Sequence, residues 1–146
     1  MTEVKFYDPS FIPDTVLTFS VIAAKYGDKW IFVRHLKRNT WEIPGGHIEK
    51  NETADEAAQR ELNEETGAVD FSIECVATYS VQKEGKLGYG RLYLADISKL
   101  GPVPDSSEIG EITIAASLPE NLTYPDIQPH LFRKAVAWFD KKHSDI

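Results

Sequence analysis

Three glutamates, Glu61, Glu64 and Glu65, recur at three- and four-residue spacing in a segment that reads as a helix from Thr53 to Thr66. With about 100° between successive side chains, they project to one side of that helix. Like charges so placed destabilise an isolated helix by roughly 0.2–0.5 kcal/mol per pair, so their grouping calls for a compensating partner. A divalent cation is one: several hard carboxylate oxygens suit Mg²⁺ or Mn²⁺, with water and phosphate oxygens filling the remaining octahedral positions. Ala54, Ala57, Ala58 and Leu62 share the sector of Glu61 and Glu65, whereas Asp55, Glu56, Gln59, Arg60 and Asn63 make the opposite, polar face. Glu61 and Glu65 are therefore expected among small residues packed toward a sheet, where a carboxylate without a cation is costly. Just upstream, the pair Gly45-Gly46 lets backbone approach a metal or a phosphate without a side-chain clash, and the Gly46 carbonyl could add a ligand. A charge run alone more often marks a solvated face, so the reading rests on the whole spacing.

The elements that must hold these groups are legible in outline. The helix opens on Thr53 and Glu56, a capping-box pair, and ends at Gly67, suited to the left-handed position after a helix. Val16 to Ala24 and Trp30 to Val33 flank the turn signal Tyr26-Gly27-Asp28-Lys29 and read as a hairpin. Trp41 to Ile43 reads as a short strand that stops at Pro44-Gly45-Gly46. Phe71 to Gln82 and Gly88 to Ile97, rich in β-branched and aromatic residues, are expected to pair antiparallel across Lys83 to Leu87. Ile109 to Ala115 reads as a further strand after a Pro- and Ser-rich loop, and Leu118 to Pro125 as another loop. From Asp126 to His143, Ile127, Leu131, Phe132, Ala135, Val136 and Phe139 recur with helical spacing. Strands in this order with two helices suggest an α/β sandwich.

Composition bounds the rest. A length of 146 residues, 42% hydrophobic and 27% charged, fits one domain, 1–146, with one core. No apolar run approaches the ~20 residues that span a bilayer, and the first residues lack the layout of a signal peptide, so a cytoplasmic protein with no membrane partner is expected. A net charge of −7 argues against a groove for polymeric nucleic acid, although metal ions can bring positive charge to a phosphate site locally. The single cysteine, Cys75, is expected to be a buried structural thiol.

From Gly46, five intervening residues lead to Glu52, and seven more to Arg60-Glu61-Leu62-Asn63-Glu64-Glu65-Thr66-Gly67-Ala68. This resembles the Nudix box, G-x5-E-x7-R-E-U-x-E-E-x-G-U with U apolar, at every charged and glycine position. Ala68, smaller than the usual last residue, is the one soft departure. The approach Trp41-Glu42-Ile43-Pro44-Gly45 also resembles the family's. The resemblance implies the Nudix α/β/α sandwich, a mixed β-sheet between helices, across nearly the whole chain.

It also implies Mg²⁺-dependent hydrolysis, with Mn²⁺ an alternative, of a diphosphate linkage in a nucleoside phosphate. In this chain Glu61 and Glu65, then Glu64 and the Gly46 carbonyl, would be the metal ligands. Arg60 would orient carboxylates or touch phosphate, and Glu52 would brace the loop. Family members draw the general base from the box helix or from a later loop, here Glu61 or Glu64 against Glu108 or Glu111. Arg34, Gly45 and Gly46 are candidates for substrate binding, and Trp41 and Phe19 for stacking on a base, although a strand aromatic is usually core. His35, His47, His130 and His143 show no metal-ligand spacing and are assigned no role. A nucleoside triphosphate pyrophosphohydrolase, with 8-oxo-dGTP a candidate substrate, leads; the alternatives are an ADP-ribose or other nucleoside diphosphate-X hydrolase, and a nucleotide-binding regulatory module without catalysis. Exposed strand edges could support a homodimer.

Overall fold

Side chains that alternate along the strands build two cores from one sheet. The computed structural model describes residues 1–144. It contains β1 (Glu3–Tyr7), β2 (Phe19–Tyr26), β3 (Lys29–His35), β4 (Gly45–His47), α1 (Ala54–Thr66), β5 (Ala68–Lys83), β6 (Lys86–Leu100), β7 (Ile109–Ala115) and α2 (Gln128–Ser144). The sheet order is β1-β5-β6-β2-β3-β7, with β4 paired to β2; β2 and β6 run parallel and the other pairs antiparallel. Val21, Ala23, Trp30, Phe32, Leu92 and Leu94 face α2, where Leu131, Phe132 and Ala135 cover them. Ile22, Ala24, Ile31, Tyr93, Ala95 and Ile97 face the other way, onto Ala54, Ala58 and Leu62 of α1. The mixed sheet between helices is the expected sandwich. Among the described residues no helix is long and apolar enough to cross a membrane.

The local signals act as read at both ends of α1. Thr53 Oγ1 accepts from the Glu56 N–H at 3.0 Å, and Glu56 Oε1 accepts from the Thr53 N–H at 2.9 Å. Gly67 takes φ 79°, and a Cβ there would lie 2.3 Å from the Gly101 carbonyl oxygen. The β5–β6 turn is tighter than expected: Glu84 and Gly85, both at positive φ, make a two-residue connection between longer strands. Ala68 is fully buried in the α1-side core, which closes around the smaller residue.

Three further features differ from the sequence reading. β1, which pairs with β5, was not expected, because Glu-Val-Lys-Phe-Tyr is short and half polar and earns its strand state by packing Val4 and Phe6 onto the α2-side core. Trp41 to Ile43 makes only isolated bridges, and the strand lies one step later, across the glycines themselves. Gly45 and Gly46 sit opposite Val21 and Ser20, so close that a Cβ on Gly45 would meet the Ser20 carbonyl oxygen at 2.5 Å. Cys75 is half-buried rather than buried, with the Arg91 Nε donating to its Sγ at 3.3 Å.

Candidate active site

The inner face of α1 carries its carboxylates into the structure. Leu62, Ala57 and Ala58 are fully buried beneath the sheet, and on the same side Glu65 is only 6% exposed. Glu65 Oε1 accepts from the Gly45 N–H at 2.9 Å. Burial is the main influence on this carboxyl and pushes its pKa up to about 8, against the lowering effect of that one N–H. Glu61 is also raised, chiefly by burial, with the Arg60 guanidinium acting in the opposite direction. Its carboxylate lies against Gly46: a Cβ there would come within 2.8 Å of Glu61 Cδ and Oε1. Glu64 stands at the rim, its side chain 45% exposed.

Arg60, on the polar face by helical projection, reaches back over these groups. Its Nε donates to Glu52 Oε2 at 2.7 Å and its Nη2 to Glu52 Oε1 at 2.9 Å, a two-pronged pair; Nη1 donates to Glu61 at 2.6 Å and to Glu64 at 3.2 Å; Nη2 also reaches the His47 carbonyl at 3.1 Å. This guanidinium, with the Glu49 N–H, holds the Glu52 carboxyl down at about 2. The loop before α1 folds back along the helix, so Glu52, eight residues upstream, meets Arg60 from outside. One cation thus ties the loop, the strand β4 and two helix carboxylates together.

A second chain of polar groups, absent from the sequence reading, approaches from β3. Glu42 is 8% exposed, and Arg38 Nη1 donates to its Oε2 at 2.7 Å. His35 Nε2 lies 3.7 Å from Glu42 Oε1 and 3.7 Å from Glu65 Oε2, placing an imidazole between two buried carboxylates. Nothing in the spacing of His35 and Glu42 announces this. The bridge between Val33 and Glu42, closed by a turn that the polar sequence Lys37 to Thr40 only suggested, brings them together.

A cleft of about 360 Å³ opens beside both chains, lined by Gly45, Gly46, His35, Arg38 and Glu42 together with Phe19, Tyr79, Tyr89, Tyr124, Gln128 and Leu131. Phe19 lies on its wall, tilted against His47 with ring centroids 4.4 Å apart, whereas Trp41 packs against the α2-side core. Arg34 is not brought to this wall: it pairs with Glu111 at 3.3 Å and donates to the His35 and Arg38 carbonyls. Glu108 borders a smaller cavity of about 260 Å³ with His35 and Lys37. Among the described residues no three carboxylate, imidazole or thiol groups converge into a ready-made cation cage. Arg60 draws Glu61 and Glu64 toward itself, and the Gly45 N–H holds Glu65.

Residues 15–139 match the NUDIX domain. A Bacillus subtilis protein, YtkD, provisionally named as an 8-oxo-dGTP diphosphatase, is 38% identical over 102 residues, which take in 70% of this chain and 64% of that protein, so the match spans under two-thirds of the relative's length. The 8-oxo-dGTP diphosphatase of Proteus vulgaris is 46% identical over 50 residues, 32% of this chain and 45% of that one. The solved structure of the Bacillus subtilis pyrophosphohydrolase BsRppH superposes with a TM-score of 0.75 at 29% identity, over 93% of this chain and 90% of that one. A UDP-X diphosphatase superposes with a TM-score of 0.73 at 21% identity, over 92% and 68% of the two chains, a likeness of fold alone.

Proposed function

Because this chain belongs to the NUDIX domain family, we propose that it is a divalent-cation-dependent pyrophosphohydrolase of nucleoside triphosphates, with 8-oxo-dGTP the leading substrate. The names of the relatives in Bacillus subtilis and Proteus vulgaris support the substrate. The observation that carries the reading is the placement of Glu61, Glu64 and Glu65 on one side of α1, two of them held by Arg60 and the third by the Gly45 N–H, beside a cleft of nucleotide dimensions.

The residues fit a hard cation. Glu65 is a buried carboxylate facing one N–H and an imidazole, and the Glu61 carboxylate occupies the space that a side chain at Gly46 would fill. Glu61, Glu65 and the Gly46 carbonyl would hold Mg²⁺ or Mn²⁺, with Glu64 at the rim. When bound, the cation supplies positive charge for the phosphate oxygens and favours loss of a proton from the attacking water. The incomplete cage suits Mg²⁺, which keeps water and substrate oxygens in its coordination sphere.

Hydrolysis adds water across one phosphoanhydride bond: a new P–O bond forms at the attacked phosphorus, the bridging P–O bond breaks, and a nucleoside monophosphate and pyrophosphate leave. Arg60 keeps Glu61 and Glu64 oriented while Glu52 fixes Arg60 from behind. The base that takes the proton is drawn from Glu61 or Glu64 on α1, both held by Arg60, or from Glu108 and Glu111 just before and within β7, where Glu111 pairs with Arg34. Gly45 and Gly46 admit the phosphates, and Arg38, its side chain 44% exposed at the wall, is the cation nearest to hand in the cleft for an anionic substrate.

Incubation with a panel of nucleoside triphosphates, ADP-ribose and nucleoside diphosphate sugars in the presence of Mg²⁺ or Mn²⁺ tests this. Pyrophosphate release from a triphosphate, reduced at least 100-fold in Glu61→Gln and Glu65→Gln, is the expected result. Cleavage of the diphosphate-linked compounds alone would transfer the assignment to them, and full activity in both variants would remove the cation site.

A further inference from the structure

The end of β3 turns one imidazole inward. Ile31, Val33 and His35 alternate onto the α1 side of the sheet. Opposite the step from Arg34 to His35 the β3–β7 ladder slips, because β7 carries an extra residue, Gly110, and such a bulge sharpens the local twist. The packing there is close: a Cβ on Gly110 would lie 3.1 Å from Arg34 Nη2 and 3.1 Å from Leu36 Cδ2. The His35 carbonyl is fixed by two donors, the Arg38 N–H at 3.0 Å and Arg34 Nη1 at 3.3 Å. The backbone that carries the ring is therefore held, and Nε2 is delivered between two buried carboxylates, 3.7 Å from Glu42 Oε1 and 3.7 Å from Glu65 Oε2. A bare lone pair on Nε2 would repel both oxygens, so this nitrogen bears the hydrogen and presents an N–H to them.

The two carboxylates are not equally fixed. Glu42 is pinned by Arg38, which donates to its Oε2 at 2.7 Å. Glu65 has the Gly45 N–H on Oε1, whereas the donor facing its Oε2 is the His35 imidazole. The other charged groups that act on it, Glu42, Glu61 and Glu64, are carboxylates that repel it. Without His35, nothing among these groups would hold Oε2 against that repulsion.

We propose that His35 is a positioning residue for the cation site: set against the pinned Glu42, its imidazole steadies Glu65 Oε2, so that the carboxylate meets a divalent cation already oriented. The inference rests on the reading that Glu65 is a ligand of that cation. Each carboxylate oxygen keeps a further lone pair for the metal when it accepts one N–H. Outer partners of this kind orient the ligand, and their removal typically costs about 10- to 100-fold in metal affinity.

Mn²⁺ binding to the substrate-free chain at fixed pH, read from the electron paramagnetic resonance signal of the free ion, tests this apart from turnover. His35→Leu removes the donor and should weaken Mn²⁺ binding by about 10- to 100-fold. His35→Gln carries an amide N–H at comparable reach and should restore most of that affinity, a rescue that a space-filling role would not give. In turnover, the leucine variant should need correspondingly more Mn²⁺ for half-maximal rate, with kcat largely restored at saturating Mn²⁺. His35→Asn, polar but too short to reach Oε2, should behave as the leucine variant does and replaces it if that chain fails to fold. Unchanged or tighter Mn²⁺ binding in the folded leucine or asparagine variant overturns the role of His35 and leaves the hydrolase reading intact. Equal weakening in the glutamine and leucine variants does the same. A native chain that binds no Mn²⁺ overturns the cation site and this inference with it.

Discussion

Adding one methyl group at Gly46 should disable the site while sparing the fold. The Gly46 backbone lies outside the positive-φ region, so alanine is conformationally admissible. Its Cβ would stand 2.8 Å from Glu61 Cδ and Oε1 and 2.9 Å from Oε2, whereas ordinary contact is near 3.5 Å, so the carboxylate must retreat by roughly 0.7 Å. It would retreat against Arg60, which grips it at 2.6 Å. Displacements of about 1 Å in catalytic geometry cost up to ~10²-fold, so kcat should fall between about 10- and 100-fold. Stability should change little, because the group that moves is the end of a side chain and the strain of about 1 kcal/mol is partly offset by the reduced entropy of the unfolded chain. In a domain of this size that is a shift in Tm of only ~2–4 °C. Gly45→Ala is the control with the opposite signature. Its Cβ would meet the Ser20 carbonyl oxygen at 2.5 Å and the Val21 Cα at 2.9 Å, backbone atoms of a central strand that cannot step aside. A loss of roughly 2–3 kcal/mol, read as a larger fall in Tm, is expected there. Steady-state pyrophosphate release and thermal unfolding of both variants are the assays. Full activity in Gly46→Ala would refute the placement of Glu61 in the reaction, and equal thermal stability of the two variants would refute the contrast between a yielding side chain and an unyielding backbone.

Other outcomes follow from the same contacts. Since Glu65 is raised to about 8 by burial, the native metal-free chain binds more protons than the unfolded chain between about pH 4.5 and 8, and stability should fall as pH rises through that window. Glu65→Gln should flatten this slope in urea titrations run with a chelator, and Mg²⁺ should stabilise the native protein more at pH 8 than at pH 5; an unchanged slope in the variant would assign it elsewhere. Glu52 acts with the opposite sign: its carboxyl is lowered to about 2 by Arg60, so its contribution is complete above pH 4.5 and disappears as pH falls toward 2. Acid unfolding of Glu52→Gln should therefore lack a component that the native chain loses on acidification, about 1 kcal/mol after solvent screening of the pair. Thr53→Ala removes the acceptor for the Glu56 N–H and should cost about 1 kcal/mol in denaturant unfolding with no change in KM, whereas a large change in KM would mean that the helix start moves with the substrate.

Much of the helix and little of its surroundings was legible in the linear order. The capping box at Thr53, the glycine at Gly67 and the alanine face at Ala57 and Ala58 are local matters, decided within one or two turns, and they orient Glu61 and Glu65 as the projection required. Arg60 was assigned to the polar face because projection fixes the Cα–Cβ direction only. A long side chain can double back, and this one does so toward carboxylates on its own helix and on the preceding loop. The strand across Gly45 and Gly46 was misplaced because glycine is a poor strand former, and only the close backbone of β2 makes it the residue that fits.

By itself the sequence determined the type of chemistry on offer, since the spacing from Gly46 to Gly67 puts hard oxygen donors on one side of a helix whose start and end it also encodes. Tertiary structure decided what those donors meet. Glu65 becomes a carboxyl with a pKa near 8 only because β4 and the sheet exclude water around it, and His35 and Glu42, seven residues apart with no periodic signal, become its neighbours only because β3 and the chain after it fold back on themselves. Gln128 is polarised by a backbone N–H 85 residues away. Helical periodicity is carried by adjacent residues and can be read along the chain, whereas desolvation and the direction of a hydrogen bond depend on which distant segments close over a group.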